Sequence, residues 1–140
     1  MEKIKILIFI DSFRIGGMHK QMLYLSKFID KSKFRMSVCV CQNSGGLKKE
    51  FKNAQIDLFD IKWKRTSDIL AIYRLFKIIR DYKPKIILIT EPVPMVYFIL
   101  IKLFLAEKII QVGSFRALTF WKGHLNKYLM FVDRILSTIL

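Results

Sequence analysis

Ile4 to Ile10 reads IKILIFI, and Asp11 to Gly17, which follow, read DSFRIGG. A near-continuous β-branched apolar run is the pattern of a strand buried on both faces of a parallel sheet. The run ends at a carboxylate and passes through Gly16-Gly17 into Met18 to Ile29. There Met18, Met22, Leu25, Phe28 and Ile29 recur at helical spacing, with Lys20, Gln21 and Lys27 on other faces. Strand, glycine loop and helix in that order make the opening unit of an α/β sheet.

The rest of the chain repeats this alternation. A second strand is expected over Met36 to Val40, a turn at Asn43 to Gly46, a short basic helix over Leu47 to Ala54 and a third strand over Ile56 to Ile61. From Ser67, taken as N-cap with Asp68 in the first turn, the segment to Tyr82 places Ile69, Tyr73, Phe76 and Ile79 on one stripe. Lys83-Pro84 ends that helix, and Ile86 to Thr90 follows as a fourth strand. A helix over Val93 to Ala106 and a fifth strand over Lys108 to Val112 come next. A helix near His124 to Val132 and a sixth strand over Ile135 to Leu140 complete the reading.

Strands alternating with helices imply right-handed βαβ units. The fold class is therefore α/β: a doubly wound, mostly parallel, Rossmann-like sheet in a single domain. Six strands allow the order 3-2-1-4-5-6, which sets a ligand at the carboxyl ends of strands one and four. Those ends are Asp11 to Gly17 and Thr90 to Pro94.

The composition agrees with a folded domain. The chain has 140 residues, 53% apolar and 26% charged, which excludes a disordered, low-hydrophobicity polymer. Lys and Arg number 25 against 11 Asp and Glu, a formal charge of +14 that calls for an anionic partner. Cys39 and Cys41 fall on one face of a strand, where they read as buried core rather than as a disulfide. No C-x-x-C and no cluster of His with acidic residues is visible, so no metal is expected. The start lacks a signal-peptide cleavage site, and Val93 to Ala106 is interrupted by Lys102 and shorter than the roughly 20 residues of a spanning helix. A cytoplasmic location follows as the expectation.

The chemistry-bearing residues sit near the strand ends. Gly16 and Gly17 let backbone approach a ligand ahead of a helix N-terminus. Their spacing matches neither G-x-G-x-x-G nor G-x-x-x-x-G-K-[ST], and a plain turn fits it as well as a phosphate loop. His19 and Lys20 read as a solvated face. Glu91 is in the crevice as a carboxylate able to accept from a sugar hydroxyl, with no partner visible in the sequence. Ser114 and Arg116 follow the fifth strand, where the guanidinium can bind phosphate bidentately. His124 has no triad around it. Basic residues are spread over several elements without a nucleic-acid motif, whereas Phe120 and Trp121 beside Lys122 suit docking on anionic lipid.

The segments KIKILIFIDSFRIGGMHKQMLYLSKFID, KFRMSVCVCQNSGGLKKEF, RDYKPKIILIT, IIQVGSFRAL and VDRILS, in this order from end to end, resemble the amino-terminal domain of family 4 glycosyltransferases with the GT-B architecture. The resemblance implies two Rossmann-like domains facing across a cleft. The second holds most of the nucleotide-sugar, while the first supplies the acceptor side and a Gly-Gly loop near the donor phosphates, here Gly16 and Gly17. Glu91, Ser114 and Arg116 would then contact acceptor or sugar. Two departures stand out: Gly113-Ser114-Phe115-Arg116 replaces a common histidine, and Lys85 stands where aspartate is common.

What the resemblance implies is transfer of a sugar, with retention, from a nucleotide-sugar to a glycan or lipid-linked acceptor in surface polysaccharide synthesis. No cofactor beyond the donor substrate and no nucleic acid enter this reading. Residues 1–140 would form the first domain without the second, inactive alone, the second being lost, split onto a separate carboxy-terminal half or removed. The basic charge and aromatics add an anionic membrane surface, met peripherally at the inner face of the cell membrane, as an expected partner. The competing expectation is a non-catalytic, truncated domain that binds a membrane surface or a partner subunit.

Overall fold

The computed structural model describes residues 2–64, 68–105 and 108–113. Nine elements alternate along them: β1 (Ile4–Ile10), α1 (Gly17–Phe28), β2 (Phe34–Val40), α2 (Lys48–Asn53), β3 (Asp57–Asp60), α3 (Ile69–Tyr82), β4 (Ile86–Ile89), α4 (Pro92–Lys102) and β5 (Ile110–Gly113). The strands form one parallel sheet in the order β3-β2-β1-β4-β5. This is the doubly wound, Rossmann-like arrangement expected of the alternating sequence. The helix near His124 and the sixth strand lie outside the described residues.

Strand alternation divides the core into two layers. Leu7, Phe9, Cys39, Ile87 and Ile89 point toward α3 and α4, where they meet Leu75, Ile79 and Phe98. Ile6, Ile8, Ile10 and Val38 point the other way, toward Met22 and Leu23 of α1 and Phe51 of α2. The apolar run in β1 is continuous because both of its faces are covered. Cys39 and Cys41 are free thiols buried in the layer beneath α3 and α4.

Local chemistry explains the shifted boundaries. Asp68, rather than Ser67, caps α3: its carboxylate accepts from the Ala71 amide at 3.1 Å. Ser67 itself is outside the described residues. α4 starts at Pro92, since proline is favoured in the first turn, where its missing N–H is no loss. The αL conformation of Lys83 closes α3 before Pro84. No helix among the described residues is long and apolar enough to cross a membrane.

Register places the functional end of the sheet. β1 pairs with β4 as Ile6↔Ile86 through Phe9↔Ile89, a constant offset of 80 residues. Continued past the strand ends, that offset brings Asp11 beside Glu91. The chain reverses its winding between β1 and β4, so both residues sit at the topological switch point.

Candidate functional site

Four side chains converge there. The Asp11 amide donates to Glu91 Oε2 at 2.6 Å, and Arg14 Nη2 donates to Glu91 Oε1 at 2.6 Å. The same guanidinium nitrogen lies 2.7 Å from Asp11 Oδ2. His19 Nε2 stands 3.4 Å from both Asp11 Oδ1 and Glu91 Oε1. Glu91 and His19 are buried, whereas the Arg14 side chain is 60% exposed and closes the cluster toward solvent. Thr90, also buried, has no hydrogen-bond partner for its hydroxyl.

The two carboxyl groups are driven apart electrostatically. Burial alone would raise Asp11, but hydrogen bonds to His19 and Glu91 and the charge of Arg14 outweigh it and hold the group at about 2. Burial raises Glu91, and its hydrogen bond with the Asp11 carboxyl adds to the effect; the Asp11 amide and Arg14 only partly offset them. Asp11 is thus held strongly to its charged form, while Glu91 is shifted in the opposite direction. Such splitting is how paired carboxyls acquire different roles.

The loop carrying Arg14 is braced from the side. Phe13 donates its amide to the Ser44 carbonyl at 2.8 Å and accepts at its own carbonyl from the Leu47 amide at 2.9 Å. Its ring packs on Phe51 with centroids 5.3 Å apart. Gly45, at φ +121°, makes this possible: a Cβ there would overlap the Phe13 carbonyl and the Arg14 amide. Gly45 therefore fixes where Arg14 stands, a role that the turn at Asn43 to Gly46 did not reveal in the sequence.

Gly16 and Gly17 border the same cluster. Gly16 is the N-cap of α1 in an extended conformation that any residue adopts, and no side chain caps the helix. A Cβ at Gly17 would meet no atom within 4 Å. The first turn of α1 thus has no capping side chain on its amides, as in a helix start that holds an anion.

The structure joins Glu91 to the glycine loop and adds Asp11, Arg14 and His19, which sequence reasoning did not assign. His19 was expected on a solvated face and is buried instead, in the first turn of α1 with its Nε2 facing both carboxyls. Lys20 is exposed, as that reading had it. The expectation of no cluster of His with acidic residues is also corrected. Donor atoms of Asp11, His19 and Glu91 lie within 4.8 Å of one another, a spacing that can hold a cation, and Arg14 supplies positive charge at the two carboxylates. The signal that was available is the DSFR run directly after a buried strand. Ser114, Arg116 and His124, like Phe120, Trp121 and Lys122, lie outside the described residues.

Among solved structures the chain is similar to UDP-GlcNAc 2-epimerase from Neisseria meningitidis, crystallised bound to UDP-GlcNAc, with a TM-score of 0.61 and 15% sequence identity. The match covers 92% of this chain and 38% of that one, so this chain spans well under half the length of its structural neighbour. That neighbour has a GT-B-type fold, and the likeness establishes a Rossmann-like domain of the GT-B kind. No protein-family model and no curated protein matches the chain.

Proposed function

We propose that the chain is the amino-terminal, acceptor-side domain of a nucleotide-sugar-dependent glycosyltransferase that builds a surface glycan or lipid-linked saccharide. The observation that carries this reading is the pairing of Glu91 with Arg14 and Asp11 at the switch point, next to the uncapped start of α1. A diphosphate needs amides and a guanidinium, and a sugar hydroxyl needs a fixed acceptor. Both sets of groups stand side by side here. The neighbour's bound UDP-GlcNAc supports a nucleotide-sugar as the ligand class.

In this reading Gly16 and Gly17 present the α1 amides to the donor diphosphate, while Arg14 reaches it from the exposed side. Glu91 accepts from a sugar or acceptor hydroxyl, and Ser114 and Arg116 are the further residues proposed to contact acceptor or sugar. A facing second domain would supply the rest of the donor site, and the part of this domain in the reaction is to position substrate. The proposed workplace is the inner face of the cell membrane, where lipid-linked acceptors are met.

The test is calorimetric titration of the full chain with a panel of nucleotide-sugars, followed by transfer assays with and without a candidate carboxy-terminal half. Binding that weakens roughly tenfold or more in Arg14→Ala supports the reading. Failure of every nucleotide-sugar to bind overturns it, and robust transfer by the chain alone overturns the division of labour.

A further inference from the structure

The outer face of α1 is built in a way that neither the fold nor the sugar site explains. Tyr24 is 54% exposed and Phe28 is 80% exposed, although aromatic side chains of this size normally find cover. They are one helical turn apart, with ring centroids at 6.4 Å, so they form a single projecting aromatic ridge. Leu25 beside them is exposed as well. Lys20 lies one turn before Tyr24, Lys27 directly precedes Phe28 in α1, and Lys31 follows just beyond the helix; all three are exposed. Positions 20, 24, 27 and 28 share one side of α1, and Lys31 is in the turn that follows the helix.

The chemistry of this stripe selects its partner. The aromatic rings project from a convex helix, so they need a surface that yields to them rather than a rigid plane. The lysines at both ends and in the middle need that surface to be negative, in keeping with the chain's formal charge of +14. Within the stripe there is no acidic residue; the nearest, Asp30, is 3.6 Å from Lys33 and bonded to Ser32. Aromatic rings at headgroup depth with lysines alongside are the signature of an interfacial helix.

We infer that α1 docks the protein on an anionic lipid bilayer through Tyr24, Leu25 and Phe28, with Lys20, Lys27 and Lys31 on the headgroups. Docking by this face is independent of the nucleotide-sugar reading, because the stripe lies on the outer side of α1 and His19 on its buried side. The position also orients the molecule. α1 and α2 cover one face of the sheet and α3 and α4 the other, so a membrane under α1 leaves α3 facing away. α3 carries its own exposed apolar residues, Ile69, Leu70 and Tyr73, which cannot meet the same plane at the same time.

Flotation of the full chain with unilamellar vesicles tests the inference. The vesicles are phosphatidylcholine alone or an equimolar mixture with phosphatidylglycerol. Binding is expected only to the mixture and to weaken with salt. Tyr24→Ser with Phe28→Ser should lower the partition coefficient at least roughly tenfold, and each of Lys20→Gln, Lys27→Gln and Lys31→Gln by about fivefold. Leu70→Ser with Tyr73→Ser should leave it unchanged. Circular dichroism of each variant confirms the fold.

Absence of wild-type binding to the anionic vesicles overturns the inference, as does loss of binding through the α3 variant instead of the α1 variant. Equal binding to both vesicle types refutes the electrostatic part. Nucleotide-sugar titration of the Tyr24→Ser, Phe28→Ser protein should match wild type, which keeps this outcome separate from the fate of the sugar reading.

Discussion

Arg14 Nη2 and Glu91 Oε1, 77 residues apart in sequence, are held 2.6 Å apart at the carboxyl end of the sheet. The contact is asymmetric: the guanidinium faces solvent and the carboxylate is buried. Solvent therefore screens only one end of it, and the two partners respond differently to substitution.

Glu91→Ala should destabilise the domain by about 2–3 kcal/mol, because it strips the Asp11 amide and Arg14 of their acceptor in a buried setting. Glu91→Gln keeps an acceptor for the amide and should cost about 1 kcal/mol. Arg14→Ala should fall between them, at about 1–2 kcal/mol. Arg35→Ala is the comparison: its 2.9 Å pair with Asp57 is exposed on both sides, and its loss should be barely measurable. Urea midpoints decide the order. An Arg14→Ala midpoint no lower than that of Arg35→Ala would show that burial of Glu91 adds nothing.

Acid should reveal Asp11. Its folded value of about 2 lies below the 3.8 of an unperturbed aspartate, so the unfolded chain takes up the proton first. The resulting stability is complete above about pH 4 and disappears as pH falls toward 2, amounting to about 2 kcal/mol. Wild-type melting temperature should drop over that window more steeply than that of Asp11→Asn. Parallel curves would remove Asp11 from the linkage.

Glu91 carries the opposite sign. Its value is raised, so the folded state holds the proton more tightly than the unfolded one, and this contribution fades as pH rises through the folded value. Moving from neutral to mildly acidic pH should therefore raise the stability of wild type relative to Glu91→Gln. The difference between the two melting curves is the readout, and a constant difference would contradict the raised value.

Two glycines should separate fold from site. Gly45→Ala combines a positive φ with overlap on the Phe13 and Arg14 backbone and should cost about 3 kcal/mol or more, with loss of soluble protein. Gly17→Val enters open space and should leave helix content close to wild type. Nucleotide-sugar binding should nonetheless be abolished in Gly17→Val, since the branched side chain stands where a phosphate would approach the amides. Undiminished binding would remove the loop from the site.

The frame of this molecule was legible because its signals are local. IKILIFI delimits β1 to the residue, and the stripe through Ile69, Tyr73, Phe76 and Ile79 locates α3 within two residues of its start. The stripe did not show which face is buried: Ile69 and Tyr73 are exposed, and Ala71, Leu75 and Ile79 carry the packing. The site was half legible. Glu91 was recognisable from its place after β4, but its partners arise from the register between two strands 80 residues apart. A histidine followed by a lysine in a first helical turn looks solvated until the carboxyls that enclose it are in view. Gly45 escaped notice because its constraint is a contact with another loop, not a property of its own turn.

The two buried thiols of β2 and its end give the molecule an internal clock. Burial raises Cys39 well above its ordinary value, with Cys41 and the Asp60 carboxylate adding to it, and burial raises Cys41 too, with Asp11, Glu91 and Asp60 adding, so neither supplies a reactive thiolate while the core is closed. Cys39 pairs in register with Phe9 on one side and Phe59 on the other, and Cys41 donates its amide to the Ile10 carbonyl. An alkylating reagent reaches them when the layer between the sheet and α3 and α4 opens. The pace of alkylation in native buffer therefore counts openings of that helix-covered layer, and a ligand bound across β1 and β4 would slow that count without touching either sulfur.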